Sequence, residues 1–189
     1  MRKAFLLGFL FLGQLMANTT EQDLKPLISK EQIDRRIQEV AWQIDQDYQG
    51  KEITLVMVLK GAICVTADLL RAITIPCALE FVQASSYGHG TESGQLTLQG
   101  LEKFSLKDRH VIIVDDIFDT GKTMTRIQEQ LLLQNPASLK TLVLLLKNRP
   151  RSISYVPDYV LFPIEDEFVI GYGLDDKDLL RGLPGVYVK

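Results

Sequence analysis

Val111-Ile112-Ile113-Val114-Asp115-Asp116-Ile117-Phe118-Asp119-Thr120-Gly121-Lys122-Thr123 is the stretch that decides how this chain folds. Its four β-branched opening residues read as a strand buried on both faces, as in the middle of a parallel sheet. Two adjacent carboxylates follow, then a third, then a Thr-Gly-Lys-Thr loop and a helical pattern starting near Met124. Ligands of open parallel sheets gather beyond the carboxyl ends of the strands, where helix N-termini attract phosphate. The combination predicts a ligand that brings hydroxyls, a cation and a phosphate together.

Two plainer readings compete. Asp119 and Thr120 could simply cap the following helix, but capping explains one acid and leaves two. Gly121-Lys122-Thr123 also matches the end of a nucleotide P-loop, which requires Gly five positions before its second Gly. Asp116 stands there, so a P-loop is excluded.

At 189 residues, 46% hydrophobic and 24% charged, the chain reads as one ordinary soluble domain. A net charge of −3 offers no basic face for nucleic acid or anionic lipid. An anionic ligand must then be held by a few placed cations, backbone amides or a metal. Cys64 and Cys77 lie in apolar segments and read as small buried residues in a reducing, cytoplasmic setting. Residues 1–17 form an apolar leader, with Arg2-Lys3 before Ala4 to Leu12 and Ala17 as a cleavage position. The run is short for a membrane span. It reads first as a start assigned too early, with Met16 the later start, and second as a signal peptide.

Residues 18–189 form the domain. Ser29 and Gln32 make a capping box for a helix whose apolar face is Ile33, Ile37, Val40, Ile44 and Tyr48, ended by Gly50. Strands are expected at Ile53–Leu59, Cys77–Gln83, Gln95–Gln99, Leu139–Leu146, Tyr159–Phe162 and Phe168–Ile170, with Val186–Val188 as an edge strand. Helices are expected at Ala62–Ile73 and about Met124–Gln134, and a loop over Ala84–Gly94. This alternation predicts an α/β fold, a mostly parallel sheet flanked by helices.

On such a sheet the strand ends at Leu59-Lys60-Gly61, Asp115 to Thr123 and Lys147 share one edge. Lys60 supplies a cation and Gly61 a close backbone approach. Lys147 supplies a group that only donates. Either lysine alone reads as a solvated strand end; together with the acids they make a pocket.

The Asp115–Thr123 segment resembles the phosphoribosyl-diphosphate signature of the type I phosphoribosyltransferases. Val58-Leu59-Lys60-Gly61 is similar to their pyrophosphate loop, and Ser85-Ser86-Tyr87-Gly88 to their lid, with Ser86 and Tyr87 as lid residues. Lys147 with Arg151, Pro157-Asp158-Tyr159-Val160, the run Asp166 to Asp175, and Arg181 resemble the hood of the hypoxanthine-guanine branch, here about residues 148–189.

The resemblance implies the type I fold with a small hood. It also implies transfer of a 5-phosphoribosyl group from its diphosphate to hypoxanthine or guanine, giving pyrophosphate, with Mg²⁺ as cofactor. Asp119 becomes the general base, and Lys60, Gly61 and Arg181 hold diphosphate. Asp115, Asp116, Asp119, Thr120, Gly121, Lys122 and Thr123 hold the ribose 5-phosphate. Lys147, Phe168, Val169 and Asp175 bind purine, and Asp115, Asp116 and Asp175 bind metal. A homodimer or homotetramer and a cis Leu59–Lys60 peptide are implied too, with neither nucleic acid nor membrane as partner.

Two residues depart from the family pattern. Asp115 replaces the usual Glu and is one methylene shorter, and Asp176 replaces an aromatic residue and either alters metal affinity or faces solvent. Two rivals stay open: xanthine or another base as substrate, and an RNA-binding regulator of pyrimidine genes.

Overall fold

The run from His110 to Phe118 is an inner strand, and the other elements are laid out around it. The computed structural model describes residues 24–86, 96–150 and 155–189; the leader and Tyr87 lie outside them. The strands are β1 (Lys25–Ile28), β2 (Ile53–Leu59), β3 (Cys77–Ser86), β4 (Leu96–Gln99), β5 (His110–Phe118), β6 (Ser138–Lys147), β7 (Tyr159–Ile164), β8 (Val169–Ile170) and β9 (Val186–Val188). The helices are α1 (Lys30–Asp47), α2 (Ile63–Ala72) and α3 (Lys122–Leu132).

Six strands form the main sheet in the order β4-β3-β2-β5-β6-β7, with only β4 antiparallel to its neighbour. Side chains of β5 alternate between two cores, as strand geometry requires. Ile112 and Val114 join Ile33, Ile37 and Ile44 of α1 and Leu69 of α2. Val111 and Ile113 face the other way, with Met124, Ile127 and Leu131 of α3. Each such buried side chain stabilises the fold by roughly 1.5–3 kcal/mol. Both faces of the strand are therefore covered, which is why its sequence shows an unbroken apolar run.

A second sheet, β1-β9-β8, is antiparallel. The sequence reading needs three corrections here. β9 is the middle strand of this small sheet and no edge. β1 was not expected, because Pro26 removes an amide and four residues carry no period. Third, Ala84 to Ser86 belong to β3, and the rest of the expected loop, residues 87–94, lies outside the described residues.

Candidate active site

β2 and β5 lie side by side only as far as Met57 and Val114. Beyond that point β2 follows β3 to Leu59–Gln83, while β5 follows β6 to Phe118–Leu146. The two strands part at the place where the strand order reverses direction, the crevice in which open α/β sheets hold ligands. Asp115 and Asp116 sit at the fork, inside the strand's last residues rather than beyond its end.

The fork opens into a cleft of about 390 Å³ lined by Lys60, Gly61, Asp115, Asp116, Asp119, Thr120, Gly121, Thr123, Asp175 and Arg181, among others. Gly61 makes room for the acids: a Cβ there would lie 1.6 Å from Oδ2 of Asp116, whose side chain would have to shift. The Leu59–Lys60 peptide is cis. Ser86 ends β3 on the same sheet edge.

Asp115 is only 7% exposed, and its carboxylate accepts the Asp116 amide at 3.0 Å. Burial first, and the adjacent Asp116 charge second, push its carboxyl well above the usual carboxylate range. Burial raises Asp116 as well, against hydrogen bonds and the pull of Arg181. Two buried acids this close favour a shared proton or a cation. Among the described residues no three His, Cys, Asp or Glu side chains gather into a metal set. Two hard carboxylates do fit Mg²⁺, which takes one or two from protein and the rest from substrate and water.

Past β5 the chain turns through Gly121, whose φ of +80° suits glycine, and enters α3 with no side-chain cap. Gly121, at the N-cap position, has no side chain to cap with, and of the two candidates only Thr120 touches the helix start, its Oγ1 accepting a long 3.5 Å bond from the Lys122 amide. The uncapped first turn leaves amides facing the cleft side for an anion. Lys122 opens the helix but is not among the residues lining the cleft.

The hood loop reaches the cleft through glycine. At Gly173, φ is +102°, and a Cβ there would lie 2.1 Å from the Gly61 carbonyl. Gly173 accepts from Arg181 Nη1 at 2.7 Å and donates its amide to the Arg181 carbonyl at 2.9 Å. Arg181 then pairs with Asp175 at 2.6 Å and, more loosely, with Asp178 at 3.5 Å. Lys60 also pairs with Asp178, at 3.0 Å. Asp175 is thus engaged by a guanidinium, although it lines the same cleft as Asp115. Asp176 bonds the ammonium of Lys189 and does not line the cleft.

Lys147, Phe168 and Val169 do not line this cleft. Lys147 ends β6 beside a second cavity of about 510 Å³, shared with Ile28, Phe162 and Glu167. An ion-pair chain connects the two places. Lys147 meets Asp166 at 3.1 Å, Arg149 lies 3.6 Å from the same Asp166, and Arg149 bonds Asp119 at 2.8 Å. Phe168 is 56% exposed, hence no core aromatic, while Val169 is buried. Sequence reasoning missed Arg149 and Asp178 as members of the site and placed Asp166 only in the hood run, with no role of its own. The only signal was position: Arg149 lies two residues past a strand-end lysine, and Asp178 three before Arg181.

The phosphoribosyl transferase domain family matches residues 28–177. A hypoxanthine-guanine phosphoribosyltransferase of Aquifex aeolicus is 41% identical over 167 residues, 87% of this chain and 94% of that protein. One from Streptococcus pneumoniae is 37% identical, covering 89% and 94% respectively. Among solved structures, a Bacillus anthracis hypoxanthine-guanine phosphoribosyltransferase superposes with a TM-score of 0.83 at 37% identity, covering 87% of this chain and 98% of that one. The Trypanosoma cruzi hypoxanthine phosphoribosyltransferase, in complex with the product IMP, gives 0.81 at 41% identity, covering 87% and 92%. The forked sheet, its acids and these similarities agree: this chain belongs to the phosphoribosyltransferases, in the hypoxanthine-guanine phosphoribosyltransferase family.

Proposed function

We propose that this chain salvages purines, moving a 5-phosphoribosyl group from phosphoribosyl diphosphate onto hypoxanthine, and onto guanine. The observation that carries this reading is the fork between β2 and β5, which gathers acids, cations and an uncapped helix start in one cleft. The purine N9 attacks the anomeric carbon, diphosphate leaves with the bonding pair, and the proton at N7 passes to Asp119. Positive charge develops on the ribose and negative charge on the leaving group, so the chain's work is positioning and electrostatic stabilisation.

Asp115 and Asp116 accept from the ribose hydroxyls, and Thr120 to Thr123 hold the 5′-phosphate on amides and hydroxyls. Lys60, the Gly61 amide and Arg181 receive the diphosphate, releasing Asp178. Asp115 and Asp116, with Asp175, would hold Mg²⁺, which would supply positive charge against the diphosphate. Phe168 stacks on the purine, worth about 1–3 kcal/mol, and Val169 with Asp175 borders it. Ser86 and Tyr87 belong to the lid that excludes water. Lys147 donates to the 6-oxo group; adenine has a donor there, and the mismatch costs roughly 1–3 kcal/mol.

A homodimer or homotetramer in a cytoplasmic setting completes the proposal, supported by the unpaired cysteines and the exposed Trp42, Leu79 and Phe81. Among the described residues no helix is long and apolar enough to cross a membrane. The test incubates the chain with phosphoribosyl diphosphate, Mg²⁺ and hypoxanthine, guanine, xanthine, adenine or uracil in turn. The reading expects IMP and GMP with stoichiometric pyrophosphate; nucleotide from adenine or uracil alone, or from none, contradicts it.

A further inference from the structure

The ion-pair chain between the two halves of the site uses single atoms twice. Oδ1 of Asp166 faces both Lys147 Nζ, at 3.1 Å, and Arg149 Nη1, at 3.6 Å. That same Nη1 bonds Oδ1 of Asp119 at 2.8 Å. Lys147 and Arg149 therefore compete for one carboxylate oxygen, and Asp166 and Asp119 compete for one guanidinium nitrogen. At these separations and partial exposure, each contact weakens its rival.

We propose that Asp166 and Arg149 form an exchange relay that couples recognition of the purine's 6-oxo group at Lys147 to the uncovering of Asp119. This deepens the proposed function and rests on the roles given there to Lys147 and Asp119. In the ligand-free chain Arg149 occupies the carboxylate that must receive the N7 proton. A 6-oxopurine draws the Lys147 ammonium toward its oxygen and away from Asp166. Asp166 then holds Arg149 alone, the 3.6 Å pair tightens, and the 2.8 Å bond to Asp119 is given up. The proton acceptor, 42% exposed but with Oδ1 bound to Arg149, is freed of that guanidinium only when the correct base has arrived. Adenine, which offers Lys147 no acceptor at that position, leaves Asp119 covered, so discrimination appears in turnover as well as in binding. Asp166 and Arg149 are positioning residues in this scheme; neither touches the reacting atoms. Both stand on loops after strand ends, Arg149 after β6 and Asp166 after β7, where small movements are cheap.

The experiment is a double-mutant cycle with hypoxanthine and adenine as acceptors, using Asp166→Asn, Arg149→Gln and the pair together. The relay expects Asp166→Asn to lower kcat with hypoxanthine about tenfold while KM for hypoxanthine stays level or falls, since Arg149 has lost its alternative partner. Adding Arg149→Gln should return kcat to within about threefold of the unaltered chain, because nothing then covers Asp119. Arg149→Gln alone should raise the adenine-to-hypoxanthine ratio of kcat, and Arg149→Lys should restore the ratio. A merely structural Asp166 would give a defect that the second change deepens or leaves in place. Asp166→Asn within twofold of normal kcat, or a double variant as slow as the single one, overturns the relay and leaves the proposed function intact. An unaltered chain that makes no purine nucleotide overturns both.

Discussion

The floor of the cleft and its rim are held in place by different physics. The floor is Gly61, Asp115, Asp116 and the turn through Gly121, set at the ends of β2 and β5 and supported by side chains that are wholly buried. The rim is Lys60, Lys147, Arg149 and Arg181, each held by a carboxylate of this same chain: Asp178, Asp166, Asp119 and Asp175. Burial positions the floor once, at folding. Charge positions the rim; in the proposed function a substrate oxygen replaces the carboxylate at Lys60, Lys147 and Arg181, and Asp166 replaces Asp119 at Arg149. A site built this way keeps its geometry while its cations wait for a ligand, so floor changes should abolish activity and rim changes should retune it.

The largest effect belongs to Asp119, where floor and rim meet. In the proposed function Asp119 accepts the N7 proton, so Asp119→Asn should lower kcat by about 10²–10⁴-fold with little change in melting temperature. Steady-state rates beside a thermal melt check this, and a variant within threefold of normal would break the assignment. Gly61→Ala comes next. Its Cβ would lie 1.6 Å from Asp116 Oδ2, so the carboxylate must move by more than 1 Å and kcat should fall about hundredfold.

A rim change sharpens the contrast. Lys147→Gln offers both a donor and an acceptor, so the preference for hypoxanthine over adenine, in kcat/KM, should shrink by about tenfold or more. A smaller effect separates stability from function on the floor. The Asp115 carboxyl is raised by burial, so the folded chain binds its proton more tightly than the unfolded chain does, and stability falls as pH rises above about 4. Asp115→Asn should therefore melt a few degrees higher at pH 7.5, lose that advantage toward pH 4, and be catalytically poor. Scanning calorimetry at the two pH values decides it. Lys189→Ala is the smallest change. It removes the partner of Asp176, should cost no more than about 1 kcal/mol, and should leave Mg²⁺ dependence of the rate unaltered.

The same division explains what was legible in the sequence. β2, β5 and β6 announce themselves because strands covered on both faces need unbroken apolar runs, and their carboxyl ends locate the acids. The capping box of α1 was equally plain. β1 was obscure because it is short and contains Pro26, and β9, found at its expected residues, was wrong only as an edge; their pairing joins Lys25 to Val188, far apart in sequence. Nor does any local pattern show that Asp178 lies against Lys60, 118 residues away, or that Arg149 meets Asp119. Those contacts depend on how the hood loop folds back. That loop takes left-handed backbone at Tyr172, Lys177, Asp178 and Leu180, residue types that do not advertise it.

In the proposed function floor and rim grip one nucleotide between them, and a crystal structure of the chain with IMP is the sharpest test. It should show the 5′-phosphate on the amides of Thr120 to Thr123, the ribose hydroxyls at Asp115 and Asp116, and the 6-oxo group on Lys147, with Asp166 turned to Arg149. IMP bound elsewhere, or seated in the cleft with Lys147 still on Asp166 and no contact to the purine, would contradict it.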